Sequence, residues 1–439
     1  MNDFTILHLS DLHINSSGKT LSLLLENLLK DIENEMELSE NILIVVTGDI
    51  IDQANYDNYE NAVEFFRKLK SILDDKVRHI YIVPGNHDKV RNFMDRKILS
   101  EYTGNEDYFY SKIWKYLRMG FDDYTEMLKR IYKIFYSTEE VEQRIFEDAL
   151  GVNIDKINGK NICVIQLNTA WSCVGGTDER NLRLGAFQIK KVKEIYEKKK
   201  AEKKSKGEEI ALTIALAHHP VSWLQGKDED ILQAEMLSNV GLNTDIYICG
   251  HVHSRDVIDW QNNRHSLTTL VSGIGWPDGS TSHPEAHNYS SYVFNLDINS
   301  IDVYARSSND ALKFEPDFRI YTQERNKKDN KIIMPIDSCK TQAYFNLSTV
   351  EGRSAKGCYI TGELISHMEK AVRIFEGVRN DMQERLAIIK YDIFDNIILD
   401  SLSEKKSLND HWLWELEDFW FRGGKRKREI NKVANRYSY

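Results

Sequence analysis

Five clusters of carboxylate, amide and imidazole groups, each closing an apolar run, constrain this chain more than any other feature. Phe4 to Leu9 runs into Asp11-Leu12-His13, and Ile42 to Val46 into Gly48-Asp49. His79 to Val83 leads to Pro84-Gly85-Asn86-His87-Asp88. Ala211 to Leu216 leads to His218-His219-Pro220, and Ile246 to Cys249 to Gly250-His251-Val252-His253. Short, β-branched apolar runs bounded by Gly or Pro read as buried strands. Between the first two runs, Leu21, Leu24, Leu25, Leu28, Leu29 and Ile32 recur at helical spacing, and a second helix is expected over about 56–73. The order β-α-β-α-β predicts a layered α/β fold with at least partly parallel strands. In such sheets ligands collect beyond the carboxyl ends of the strands.

The residue types at those ends point to metal chemistry. Hard divalent ions take carboxylates, amides and imidazoles. Asp11, His13, Asp49, Asn86, His218, His251 and His253 supply that mixture. Seven donors exceed what one tetrahedral ion takes. They suit two ions about 3.5–4 Å apart that share a bridging carboxylate. One Asp-x-His is weak evidence, because acid and histidine neighbours are common by chance. Five such clusters, each after an expected strand, are not.

The remaining chain is less regular. From about 91 to 151 the strand–helix rhythm stops, and the stretch is aromatic, charged and helical in pattern, with no strand expected. It leaves the core just after Asn86 and His87, so a substrate-recognition lid and a structural cap are both open readings. The lysine-rich stretch 189–209 reads as a solvated helix face. Ser266 to Val271, Tyr289 to Leu296 and Ile301 to Arg306 are expected as antiparallel strands. Arg325 to Lys331 is a polar linker candidate. Beyond it, residues 331–439 form a smaller, mainly helical accessory region with a helix over about 362–391. That region ends in Trp412, Trp414 and Trp420 and a basic tail, Arg422 to Arg428. Its tryptophans are candidate anchors for a protein partner or a second copy of the chain.

A hydrophobic content of 41% with 29% charged residues is that of a soluble globular protein. The formal net charge of −10 argues against a surface that coats nucleic acid, while leaving room for a local basic patch. The five cysteines are scattered, with no zinc-knuckle spacing, which suits reduced thiols in a cytoplasmic protein. No run approaches the roughly 20 apolar residues of a membrane span, so no membrane association is expected. No basic, cleavable leader is expected before Asp11.

Taken together, the five motifs resemble those of the calcineurin-like metallophosphoesterase superfamily. The resemblance spans residues 4–306, outside the insertion at about 92–155. It implies a four-layer α-β-β-α sandwich over residues 1–310, with a dimetal centre at the sheet edge. Carried over, Asp11, His13 and His253 would hold one metal and Asn86, His218 and His251 the other, with Asp49 bridging. His219 would be a neighbour of the ligands or a substrate contact. His87 would be the general acid on the leaving oxygen. Asp52 would orient it, a role compatible with capping the following helix. Manganese is the expected metal, with iron, zinc, magnesium and nickel as alternatives.

Within the superfamily, Gln53-Ala54 after Asp52, and Asp88 after Asn86-His87, depart from the protein serine/threonine phosphatase pattern. Leu7-His8-Leu9-Ser10-Asp11-Leu12-His13-Ile14 is more similar to the bacterial cyclic-nucleotide phosphodiesterase and repair-nuclease branches. The expected substrate is therefore a phosphodiester of a nucleotide or nucleic acid. The alternatives are a nuclease module acting in a protein assembly through its C-terminal region, and a phosphomonoesterase.

Overall fold

The computed structural model describes residues 4–15, 19–53, 56–90, 110–112, 115, 117–145, 151–175, 178–238, 240–252, 256–261, 266–274, 287–317 and 330–336. The expected strands form as β1 (Phe4–Leu9), β2 (Ile42–Val46), β3 (Val77–Ile82), β5 (Lys160–Gln166), β6 (Ile210–Leu216) and β7 (Ile246–Cys249). The sequence reading did not anticipate β4 (Gly151–Ile157) or β8 (Asp256–Gln261). They are followed by β9 (Ser266–Val271), β10 (Asn288–Asn295), β11 (Ser300–Ser308), β12 (Phe314–Pro316) and β13 (Ile332–Pro335).

Among the described residues two sheets are built. The first, of seven strands, runs β12-β11-β10-β1-β2-β3, with β13 also on β11; the second, of six, runs β4-β5-β6-β7-β9-β8. β1, β2 and β3 are mutually parallel, as are β5, β6 and β7. Parallel strands bury both faces, which explains their continuous apolar runs. Every residue of β1 and of β2 is buried.

Alternate side chains divide the interior into layers. Phe4, Ile6, Leu43, Val45 and Tyr81 of the first sheet join Ile162, Val164, Leu212, Ile214 and Ile248 of the second in one inner cluster. The intervening residues face helices. Leu7, Leu9, Ile44 and Val46 join a cluster with Leu24 and Leu28 of α1 (Lys19–Asn34) and Phe66 of α2 (Tyr56–Leu73). In the same outer cluster, Cys163, Ile165, Ala215 and Tyr247 meet Phe187 and Tyr196 of α5 (Ala186–Ser205) and Leu232 of α6 (Gly226–Met236). The architecture is the expected helix–sheet–sheet–helix sandwich.

Three details depart from the sequence reading. β9 pairs with β7 in parallel, while β10 and β11 take the antiparallel pairing expected there. A strand buried on both faces has the same composition in either direction, so composition could not decide this. The stretch read as a helical insertion over about 92–155 contains α3 (Asp122–Phe135) and α4 (Thr138–Ile145), but from Gly151 it is β4, paired antiparallel with β5. Residues 332–335, placed by the sequence reading in the accessory region, form β13 on β11.

α3 is held to the core as a packed helix. Tyr124, Met127, Leu128, Ile131 and Tyr132 lie on its buried face, and Arg130 forms a two-pronged pair with Glu60 of α2. The Tyr136 hydroxyl accepts the Ile80 N–H at 2.8 Å and donates to the Ile80 carbonyl at 3.1 Å, which caps the edge of β3. A Ser137–Glu140 capping box starts α4.

By its internal contacts the chain divides into one unit of Met1–Trp260 with Ser266–Ser338 and another of Gln261–His265 with Cys339–Tyr439. The expected helix at 362–391, the tryptophan cluster and the basic tail lie outside the described residues. Among the described residues no helix is long and apolar enough to cross a membrane. Cys163, Cys173 and Cys249 are buried and unbridged.

Candidate metal centre

The loops after β1 and β2 continue the parallel pairing of their strands. Asp11 N–H donates to Gly48 O at 3.0 Å, and His13 N–H to Asp49 O at 3.0 Å. This zipper brings the Asp11, His13 and Asp49 side chains to one place. All three are buried, and all three adopt left-handed backbone (φ 54°, 44° and 51°). Left-handed non-glycine residues clustered at strand ends are strained, and such strain collects where a side chain must be aimed.

Glycines allow the loops to close on one another. A Cβ on Gly85 would lie 2.1 Å from Asp49 Oδ1 and 2.2 Å from Asp49 N. A Cβ on Gly250 would lie 1.8 Å from Ser10 Oγ and 2.6 Å from Asp11 Oδ2. Gly85→Ala is therefore expected to cost about 1–3 kcal/mol or more by overpacking and to displace Asp49. Gly226→Ala, where nothing lies within 4 Å of the added carbon, is the neutral control. Denaturant midpoints and metal content of the two variants check this; equal behaviour would contradict it.

Asp88 binds two loops together. Its Oδ1 accepts Ile50 N–H at 3.0 Å and Ile51 N–H at 3.3 Å, and its Oδ2 accepts Gly85 N–H at 2.8 Å. Burial, then the nearby Asp49 carboxylate, pushes its pKa up to about 7 against those backbone donors. Sequence reasoning used Asp88 only to separate branches and missed this role. The signal was an acid directly after Asn86-His87 at a strand end. Lys89 was missed as well. It is buried and donates to Trp171 O at 2.6 Å and Cys173 O at 3.2 Å, fixing the loop after β5.

His218 is the centre of the donor set. Its Nδ1 donates to Thr47 O at 2.6 Å, since a carbonyl only accepts. That aims Nε2 at Asn86 Oδ1 (3.0 Å), His251 Nδ1 (3.1 Å) and Asp49 Oδ2 (3.3 Å). Two oxygens and a second imidazole nitrogen facing one nitrogen require positive charge between them, whether a proton or a metal ion. Burial alone would lower the His218 pKa, but Asp49, and then Asp11, raise it to about 9. Burial likewise opposes ionisation of Asp49, yet His218 above all, with His13 and His87, holds its carboxyl well below the usual range. An Nδ1–H fixed by a backbone carbonyl is the usual way a ligand imidazole is oriented. The donor chemistry therefore fits divalent ions. Among the described residues three sets of side chains bring ligand atoms within 4.8 Å of one another: His13, Asp49 and His87; Asp11, Asp49 and His218; and His218, His219 and His251. Asp49 belongs to the first two.

His219 also makes contacts away from the other donors. Its backbone N–H donates to Thr169 Oγ1 at 3.2 Å, and that hydroxyl lies 2.8 Å from Nδ1, while Nε2 lies 3.7 Å from Cys173 Sγ. Burial, then His251 and His218, holds its pKa well below the usual value.

His87 is half-buried, with its ring edge-on to His13 at 4.9 Å between centroids. Its N–H donates to Asp49 Oδ1 at 2.8 Å. Its Nδ1 donates to the backbone carbonyl of Asp52 at 2.8 Å, whereas the Asp52 carboxylate lies 3.9 Å away. The structure thus brings together Asp11, His13, Asp49, Asn86, His218 and His251, with His87 and Asp52 beside them. His253 lies outside the described residues.

An uncharacterised metallophosphoesterase-like protein of Bacillus subtilis (strain 168), YydB, is 25% identical over 278 residues, covering 61% of this chain and 52% of that protein. The chain thus spans about half the length of this curated relative. Among solved structures, Vps29 of Chaetomium thermophilum aligns over 76% of this chain and 99% of its own, at 8% identity and a TM-score of 0.31. The phosphopantetheinyl hydrolase of Mycobacterium tuberculosis aligns over 63% and 92%, at 13% identity and a TM-score of 0.31. Likeness of that degree carries no argument. The sequence model of the calcineurin-like phosphoesterases, however, matches residues 4–255, more than half of the chain and all of the strand ends that converge on His218 and Asp49. The chain belongs to the calcineurin-like phosphoesterase family.

Proposed function

We propose that the chain is a two-metal phosphoric ester hydrolase acting on phosphodiesters of nucleotides or nucleic acids. The observation that carries this reading is the convergence on His218 Nε2 of Asn86 Oδ1, His251 Nδ1 and Asp49 Oδ2, all within 3.3 Å. In this reading Asp11, His13 and Asp49, with His253, hold one ion, and Asp49, Asn86, His218 and His251 the other. When bound, two divalent ions, manganese in the first instance, would draw charge from the phosphoryl oxygens and acidify an attacking water.

The chain's own residues supply the rest. Thr47 O fixes the His218 ring, and Asp52 O fixes the His87 ring, so neither is reoriented during turnover. With its Nδ1 proton held by Asp52 O, His87 would deliver a proton from Nε2 to the leaving oxygen. The buried carboxylates Asp11 and Asp49 keep the site negative, which favours cation uptake over anion trapping.

A panel tests the reading. Full-length protein loaded with manganese is assayed against cyclic mononucleotides, linear DNA, RNA, bis(p-nitrophenyl) phosphate and p-nitrophenyl phosphate. Hydrolysis of diesters is expected to exceed that of the monoester, to vanish with chelator and to return with added metal. A preference for the monoester would replace this reading with a phosphomonoesterase.

A further inference from the structure

We propose that Trp223 is a specificity-determining residue that stacks the planar base of a nucleotide whose phosphate sits at the metal centre. The proposal rests on the phosphoester reading of that centre and adds the substrate group it recognises.

Trp223 closes a single 3-10 turn, Val221–Trp223, immediately after His218-His219-Pro220. The turn is held at both ends. Trp223 N–H donates to Pro220 O at 3.0 Å, Leu224 N–H to Val221 O at 3.0 Å, and Gln225 N–H to Leu182 O at 2.8 Å. Val221 and Leu224 on either side are buried, whereas Trp223 is only half-buried. A rigid backbone thus presents a large aromatic ring that packs against the core on one side and stays partly exposed on the other. Its ring lies 4.1 Å from the His251 ring, at 85°, and 6.0 Å from that of His219. His251 is itself half-buried. The indole therefore borders the metal-ligand cluster where that cluster meets solvent.

The placement also assigns a side. Trp223 touches the His218–His219–His251 group, whereas His87 belongs to the His13–Asp49 group. With His87 at the leaving oxygen, Trp223 lies by the other group, beside the part of the ester retained on phosphorus. A stacking ring there favours esters whose retained group carries a base, so the product would be a nucleoside monophosphate. Stacking of a base on an aromatic side chain is worth about 1–3 kcal/mol, or roughly 5- to 150-fold in affinity.

The test is equilibrium binding to full-length, manganese-loaded protein of adenosine 5′-monophosphate and of ribose 5-phosphate, in which a hydroxyl replaces the base. Wild type is expected to bind the nucleotide about 5- to 150-fold more tightly. Trp223→Phe should keep most of that ratio, while Trp223→Leu and Trp223→Ala should bring it near one with two metals still bound. Equal affinities in wild type would overturn the proposal, as would a ratio unchanged in Trp223→Leu. Loss of metal in both Leu and Ala variants would also overturn it, because the ring would then serve only to position His251. Hydrolysis of bis(p-nitrophenyl) phosphate is followed in parallel. Absence of that activity alongside an intact base preference would sink the diesterase reading and leave Trp223 standing.

Discussion

Asp49→Asn is expected to strip both metals and reduce turnover by about 10³-fold or more, because two-metal charge stabilisation is worth several kcal/mol. Asp49 is the carboxylate common to two of the ligand groups. One oxygen accepts the His87 N–H at 2.8 Å, and the other lies 3.3 Å from His218 Nε2. An amide can keep the first contact only by turning its NH2 toward His218, which removes the negative charge where it is needed. The fold should survive, since the Asp49 backbone still accepts the His13 N–H. Elemental analysis, thermal melting and diester hydrolysis of one preparation check this. Two metals per chain with wild-type turnover would sink the bridging assignment.

His87→Ala is expected to keep both metals and lose about 10²–10⁴-fold on a substrate with an alkoxide leaving group, the usual size of general acid catalysis. A nitrophenolate departs without a proton, so a p-nitrophenyl diester should lose far less. The structure revises the expectation for its partner. Because Nδ1 donates to the Asp52 carbonyl at 2.8 Å and the carboxylate stands at 3.9 Å, Asp52→Asn keeps the orienting contact. Its effect on the alkoxide substrate should be small, below tenfold. If His87→Ala loses metal, His87 is a ligand. If both substrates slow equally with metals bound, it positions the phosphate.

The sequence by itself determined the strands that end at the site and the donor types they carry. Runs such as Phe4 to Leu9 and Ile42 to Val46 were legible because strands buried on both faces are mostly apolar, even with Thr5 and His8 buried in the first. Asp, Asn and His immediately after them have few other reasons to sit there. What only the tertiary structure decided is partnership. Burial is the same for parallel and antiparallel neighbours, so the pairing of Ser266–Val271 with β7 could not be read from composition. β4 was hidden because it follows a helical stretch and mixes polar with apolar residues over Gly151–Ile157. The groups that aim the site were hidden for a different reason. Thr47 O orients His218 and Asp52 O orients His87, and a backbone carbonyl is present at every residue whatever its side chain. Only the packing of the two sheets, with Gly85 and Gly250 leaving room for the loops to touch, selects which carbonyls those are.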